Sequence, residues 1–116
     1  MASAGGDWKD FYMAAESGDL GRVRYHLSEG VDVDYQHPEV MQTALVASVQ
    51  QGHAAIARVL LEHGADPNLP AELGPVTPLQ AAQRHGDAAL LQLLRDFGAR
   101  ASHAPQRSFW QRWLNV

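Results

Sequence analysis

Apolar residues in this chain recur in short clusters at helical spacing, and each cluster is closed by a glycine. Trp8, Phe11, Tyr12 and Ala15 make the first stripe, predicting a helix over residues 8–17 that Gly18 stops. Asp19 is placed to cap a second helix over 20–29, ended by Gly30 in the left-handed conformation that glycine adopts cheaply. Thr43 caps a third helix over 44–51, which Gly52 breaks. A fourth follows over 54–63, with Ile56, Leu60 and Leu61 on its core side and Gly64 behind it. The strongest start is the fifth, where Thr77 is the N-cap, Pro78 sits at the first helical position and Gln80 completes a capping box. Gly86 and Asp87 restart the chain into a sixth helix over 88–97, closed by Gly98. The joints at Gly18, Gly52 and Gly86 are short enough to force antiparallel pairs.

The glycines also keep time. Gly18, Gly52 and Gly86 form one series and Gly30, Gly64 and Gly98 another, both at intervals of 34 residues. Two series in one register indicate a tandem repeat. Between the units, residues 31–42 and 65–76 carry Pro38, Pro67, Pro70 and Pro75, which disfavour helix and predict extended loops bent back as hairpins. Aligned core positions of the second helices read Arg22, Val23, His26, Leu27, then Ile56, Ala57, Leu60, Leu61, then Leu90, Leu91, Leu94, Arg95. The half-polar first set predicts a solvent-facing end, whereas the apolar third set calls for a cover. Phe109, Trp110, Trp113 and Leu114 are spaced for one side of a short helix and are expected to pack there as a C-terminal cap. Docking to a partner or to a membrane surface is the other use of such a segment.

Composition narrows the function classes. A chain of 116 residues has room for one domain, and 46% hydrophobic with 19% charged residues is globular. The absence of cysteine excludes disulfides and thiolate chemistry, and it suits a reducing, cytoplasmic setting. No apolar run of 18 residues occurs, and residues 1–7 lack the pattern of a signal peptide. Residues 1–94 hold 5 Lys/Arg against 12 Asp/Glu, a net of -7, while residues 95–116 hold 4 Arg against one Asp, a net of +3. An acidic body argues against a nucleic-acid groove.

With the units aligned, the chain resembles the ankyrin-repeat family. The stretch from Thr77 through Pro78, Leu79, Gln80, Ala81, Ala82, Gln83, Arg84, His85, Gly86 and Asp87 is similar to the family's TPLHxAAxxGH pattern. Thr43, Ala44, Leu45, Val46, Ala47 and Ser48, with Gly52 and His53, make a second copy. Leu60, Leu61, Gly64, Ala65, Asp66 and Asn68 give a nearly complete LLxxGADxN segment, and Leu27, Gly30, Asp32, Val33 and Asp34 a degraded one. The resemblance covers about residues 8–102. It implies an all-α solenoid of three helix-turn-helix units, at about 9–42, 43–76 and 77–102, with hairpin finger loops. Residues 1–7 are then a flexible N-terminus and 103–116 a capping tail. There are departures: Tyr12, Val46 and Gln80 replace the family histidine, and the period is 34 where 33 is usual. Arg100 stands where the turn aspartate belongs, so the third finger is not expected to form normally.

The resemblance implies that partner contacts fall on finger tips and on the concave side of the first helices. Its finger candidates are Tyr35, Gln36, His37, Glu39, Leu69, Glu72 and Leu73. Its groove candidates are Met13, Glu16, Ser17, Ala47, Gln50, Gln51, Ala81, Arg84 and His85. These side chains are not needed to close the core, yet rigid neighbours hold them in a row. Six histidines raise the question of metal, but none sits in an HxxxH or HExxH pattern and none has a cysteine partner. His53 reads as a turn-fixing residue. Catalytic motifs and phosphate cradles are lacking, so neither an enzyme nor a cofactor is expected. The sequence points to a module that binds another protein through fingers and groove, with nucleic acid excluded and membrane disfavoured. The alternative is a structural, chaperone-like or membrane-peripheral role acting through the aromatic tail.

Overall fold

The computed structural model describes residues 4–72 and 74–100. Its six helices are α1 (Ala4–Ser17), α2 (Leu20–Ser28), α3 (Ala44–Gln50), α4 (Ala54–Glu62), α5 (Pro78–His85) and α6 (Ala88–Asp96). Each helix start has a local cause. The Asp19 carboxylate accepts from Arg22 N at 3.1 Å, and Thr43 Oγ1 accepts from Val46 N at 3.1 Å. Thr77 and Gln80 form the expected reciprocal box, with both bonds at 3.1 Å. Asp87 Oδ1 takes the N–H groups of Ala89 and Leu90 at 2.9 and 3.2 Å. His53 is the exception, occupying the cap position of α4 with no side-chain cap bond. Helix ends fall one residue before the sequence expectation in α2, α3, α4 and α6, where the last residue is the half-helical C-cap. Helix α1 begins at Ala4, not at Trp8, with Asp7 in its first turn opposing the positive end of the helix dipole.

The helices stack in two rows. First helices α1, α3 and α5 pack side by side, second helices α2, α4 and α6 do the same, and each pair closes on itself. Small residues line the first row: Ala14, Ala15, Ala44, Ala47, Ser48, Ala81 and Ala82 are all buried. Larger groups fill the second row, with Val23, Leu60, Leu90 and Leu94 fully buried and Ile56 nearly so. Small side chains let helix axes approach, and the first helices accordingly pack on one another more extensively than the second helices do. One core runs through all three units, from Phe11 to Leu94 and Ala99. Burying a leucine such as Leu60 contributes roughly 1.5–3 kcal/mol.

The finger loops are not hairpins. No strand occurs among the described residues; the loops are turns and bends. Prolines 38, 67, 70 and 75 have no N–H to give to a ladder, so side chains take over the pairing. Gln36 does most of it, donating from Nε2 to Pro70 O at 3.1 Å and accepting Glu72 N–H at 3.1 Å. The same Glu72 N–H also reaches Met41 O at 2.8 Å, and Ala71 N bonds Val76 O at 2.8 Å. Met41 is left-handed (φ 56°), the lone non-glycine residue with that backbone among those described.

The first unit's end is less polar than its sequence suggests. Arg22 is exposed as expected, but His26 is buried at 5% exposure. Leu90 and Leu94 lie in the shared core, Leu91 packs against it, and Arg95 is exposed. No described helix is long and apolar enough to cross a membrane. Leu73 and the tail residues Phe109, Trp110, Trp113 and Leu114 lie outside the described residues.

Candidate functional site

Helix α1 places Lys9, Tyr12, Met13 and Glu16 on one face by its 3.6-residue period. Trp8 stands at the head of that row, and the first finger brings Glu39 and Val40 opposite it. Together they enclose a groove of about 370 Å³. Trp8, one wall of the groove, belongs to a cluster of three rings. Trp8 and His37 stack with centroids 3.9 Å apart and planes 6° from parallel. Tyr35 is tilted against Trp8 at 6.3 Å and edge-on to His37 at 6.1 Å. His37 Nδ1 accepts Glu39 N–H at 3.0 Å, which fixes the imidazole against its own loop and leaves Nε2 as the ring's donor. In the wall beside these rings, Met13 is 53% exposed, a large apolar group held in the open by a packed helix.

Below the groove, a polar network joins three elements. Tyr12 is buried, and its hydroxyl accepts from Gln42 Nε2 at 2.8 Å. Gln42 and Gln50 exchange amide bonds at 3.0 and 3.3 Å, tying α1 to the finger base and to α3. Burial pushes the Tyr12 phenol above its usual range, and the Gln42 bond only partly offsets it. The phenol therefore stays protonated and uncharged at neutral pH.

Two further devices hold the units in register. Asp34 Oδ1 accepts Asp66 N–H at 2.9 Å, and one period later Asn68 Oδ1 accepts Arg100 N–H at the same 2.9 Å. Asn68 also donates to Gly98 O at 3.0 Å, a bond that Asp34 has no proton to make. Burial raises the Asp34 carboxyl above its ordinary value; the Asp66 amide lowers it, and the charges of Asp66 and Asp32 raise it again. The second device is histidine over glycine. His53 Nε2 donates to Glu16 O at 3.0 Å, with the ring over Gly18 so closely that a Cβ there would lie 2.9 Å from it. His85 covers Gly52 in the same manner, 2.5 Å from where a Cβ would stand. His53 thus fixes the junction between units more than its own turn.

At the outer end of the first unit, Asp10 Oδ2 receives His26 Nε2 at 2.6 Å and Arg22 at 3.1 Å, while Arg22 also lies 3.6 Å from Asp19. The His26 bond, followed by that of Arg22, holds the Asp10 carboxyl below the usual range. His26 Nδ1 is buried without a hydrogen-bond partner among the described residues.

The candidate residues from sequence therefore separate. Met13, Glu16 and Glu39 line the first-unit groove, Tyr35 and His37 pack against its Trp8, and Gln50 is tied to its base through Gln42. Gln36 and Glu72 serve mainly to join the two fingers, and Leu69 is half-buried beside them. Ser17 is exposed with its hydroxyl 3.5 Å from Ala14 O, Gln51 is the C-cap of α3, and Arg84 and His85 lie on the third unit. Ala47 and Ala81 are buried and have no surface to offer. Trp8, Lys9, Tyr12 and Val40 also line the groove without being among the candidates from sequence, and Gln42 braces it from below. The apolar stripe places Trp8 in the core, yet its spacing to Tyr12 and Glu16 puts all three on one helix face. No group of three or more metal-binding side chains exists among the described residues.

Comparison with known proteins gives a family match, described as "Ankyrin repeats (3 copies)", over residues 11–104. Among solved structures, the ankyrin repeat domain of human ASB11 superposes with a TM-score of 0.71 at 34% identity, covering 78% of this chain and 40% of that one. An ankyrin repeat protein of Pyrobaculum aerophilum is 40% identical over 87 residues, 75% of this chain and 32% of its own length. Glycerophosphocholine phosphodiesterase GDE1 of Eremothecium gossypii is 38% identical over 73 residues, 63% of this chain and only 6% of that protein. The chain thus spans well under two thirds of each.

Proposed function

The chain belongs to the ankyrin-repeat family, and from that premise we propose that it binds a partner protein through its first-unit groove and finger, altering the partner by occupancy. Ankyrin-repeat domains are typically non-catalytic and are generally used for protein–protein interaction through the concave face. The fold supplies that class of activity, and the site must supply the rest.

One observation carries the reading. Trp8, His37 and Tyr35 form an interlocked ring cluster beside an exposed Met13. Aromatic groups already held in place bury area on binding at low entropic cost, and methionine adapts to the shape it meets. On the third unit Arg84 and His85 are exposed, the His85 ring lies over Gly52, and no comparable ring cluster occurs there among the described residues.

Affinity capture from native lysate tests the proposal, with wild type run beside Met13→Glu and the double change Tyr35→Ala/Glu39→Lys. A partner retained by wild type and lost by both variants, at unchanged helical circular dichroism, supports it. A partner retained equally by all three refutes it.

A further inference from the structure

The groove carries two carboxylates, Glu16 and Glu39, against one cation, Lys9, along a wall of aromatic and apolar side chains. Such a site selects a linear segment that is cationic, aromatic and free of acids. One segment of that chemistry lies in the same chain. Residues 101–116 contain no Asp or Glu, and Arg107 and Arg112 bracket Phe109 and Trp110, with Trp113 and Leu114 following. We propose that in the free protein this segment occupies the chain's own first-unit groove, a regulation that rests on the groove being the partner site.

Reach permits it. Arg100 N is fixed to Asn68 Oδ1, at the place in the third unit that corresponds to the Asp34–Asp66 bond in the first pair of units. The segment therefore departs from the finger side of the stack, the side on which Glu39 and Val40 line the groove. Packed helices lie about 8–10 Å apart, so the first unit is roughly 20 Å away across two steps. Seven residues from Arg100 to Arg107 extend up to about 25 Å, and thirteen to Trp113 up to about 45 Å.

Charge decides between this place and the end of the third unit. There the described surface presents the exposed cations Arg95 and Arg100 against one carboxylate, Asp96, a net positive balance opposite to that of the groove. Arg107 and Arg112 would be repelled by that surface and attracted to Glu16 and Glu39. A tethered segment acts at an effective concentration on the order of millimolar, so an outside partner must displace it and binds more weakly for that reason.

Because the chain has no cysteine, a single Ser108→Cys change in the 116-residue chain admits one spin label. Paramagnetic relaxation is then read by nuclear magnetic resonance, with the reduced label as the reference for an intact fold. The expected result is a several-fold loss of signal at the Trp8 indole and the Met13 methyl, restored when Glu16→Lys and Glu39→Lys are added. Loss confined to Leu91 and Phe97 would place the segment on the third unit and overturn the proposal, as would no loss anywhere. Loss seen on an unlabelled, isotope-bearing chain mixed with a labelled one would mean a second copy, which also overturns it. None of these outcomes touches partner capture by the groove, so the two readings fail separately.

Discussion

The first junction between units and the second use one geometry with different chemistry. At the first, a carboxylate, Asp34, takes the Asp66 amide; at the second, a neutral amide, Asn68, takes that of Arg100 at the same distance. Both are half-buried, but only Asp34 carries a charge, which burial and the carboxylates of Asp66 and Asp32 disfavour. The first junction nevertheless holds the preorganised groove, the Tyr12–Gln42–Gln50 network and the His53–Glu16 bond. Repeat proteins distribute stability among neighbouring interfaces, so one interface can carry less favourable chemistry while another supports it. In this chain the less favourable junction and the candidate site coincide.

The largest expected effect comes from the shared middle of the stack. Leu60→Ala should cost about 2–5 kcal/mol, because Leu60 is fully buried in a helix that packs on both neighbours. Urea unfolding followed by circular dichroism should show a lowered midpoint for both junctions at once. Separate transitions would mean that the junctions are not coupled through α4.

Glycine substitutions distinguish junction from helix end. Gly64→Ala meets nothing within 4 Å, so it should cost only the left-handed strain at φ 93°, on the order of 1 kcal/mol. Gly18→Ala has similar strain at φ 94° and also displaces the His53 ring, so its loss of stability should be larger, about 1–3 kcal/mol. Adding His53→Ala should remove most of that excess; equal costs at the two glycines would argue against a structural role for the ring.

The smallest effects concern pH, and the two acids of the first unit have opposite signs. Asp34 has a raised folded pKa, so between the ordinary carboxyl value of 3.8 and that raised value the folded state binds more protons than the unfolded one. Its contribution falls as pH rises through that window, and Asp34→Asn should remove the penalty, a gain of at most about 0.5 kcal/mol at neutral pH. Asp10 is lowered, so its contribution is present above 3.8 and is lost as pH falls through the depressed value. Half of the Asp10 side chain is exposed, so solvent screens much of the effect. Melting temperatures of Asp34→Asn and Asp10→Asn, taken across pH 3–7, should diverge from wild type in opposite directions.

Much of the fold was legible because glycine and capping residues act locally. Asp19, Thr43, Thr77 and Asp87 cap their helices through bonds spanning two or three residues, and a short window reveals them. The fingers were less legible. Their pairing depends on Gln36 reaching Pro70 and Glu72 over 34 and 36 residues, and proline content alone does not show that side chains replace a ladder. The site was half legible. Met13, Glu16, Tyr35, His37 and Glu39 follow from their places in the repeat, but Trp8 looked like core because an apolar stripe does not say which part of it is covered. Only the His37 stack reveals Trp8 as a wall.

The central claim is that binding belongs to the first unit and not the third. Titrating the captured partner against Met13→Glu and against Arg84→Ala/His85→Ala tests it most directly. The first variant should lose affinity tenfold or more, corresponding to about 1.4 kcal/mol or more, and the second should change little. Lost affinity in the Arg84/His85 variant, with Met13→Glu binding as wild type, would contradict it.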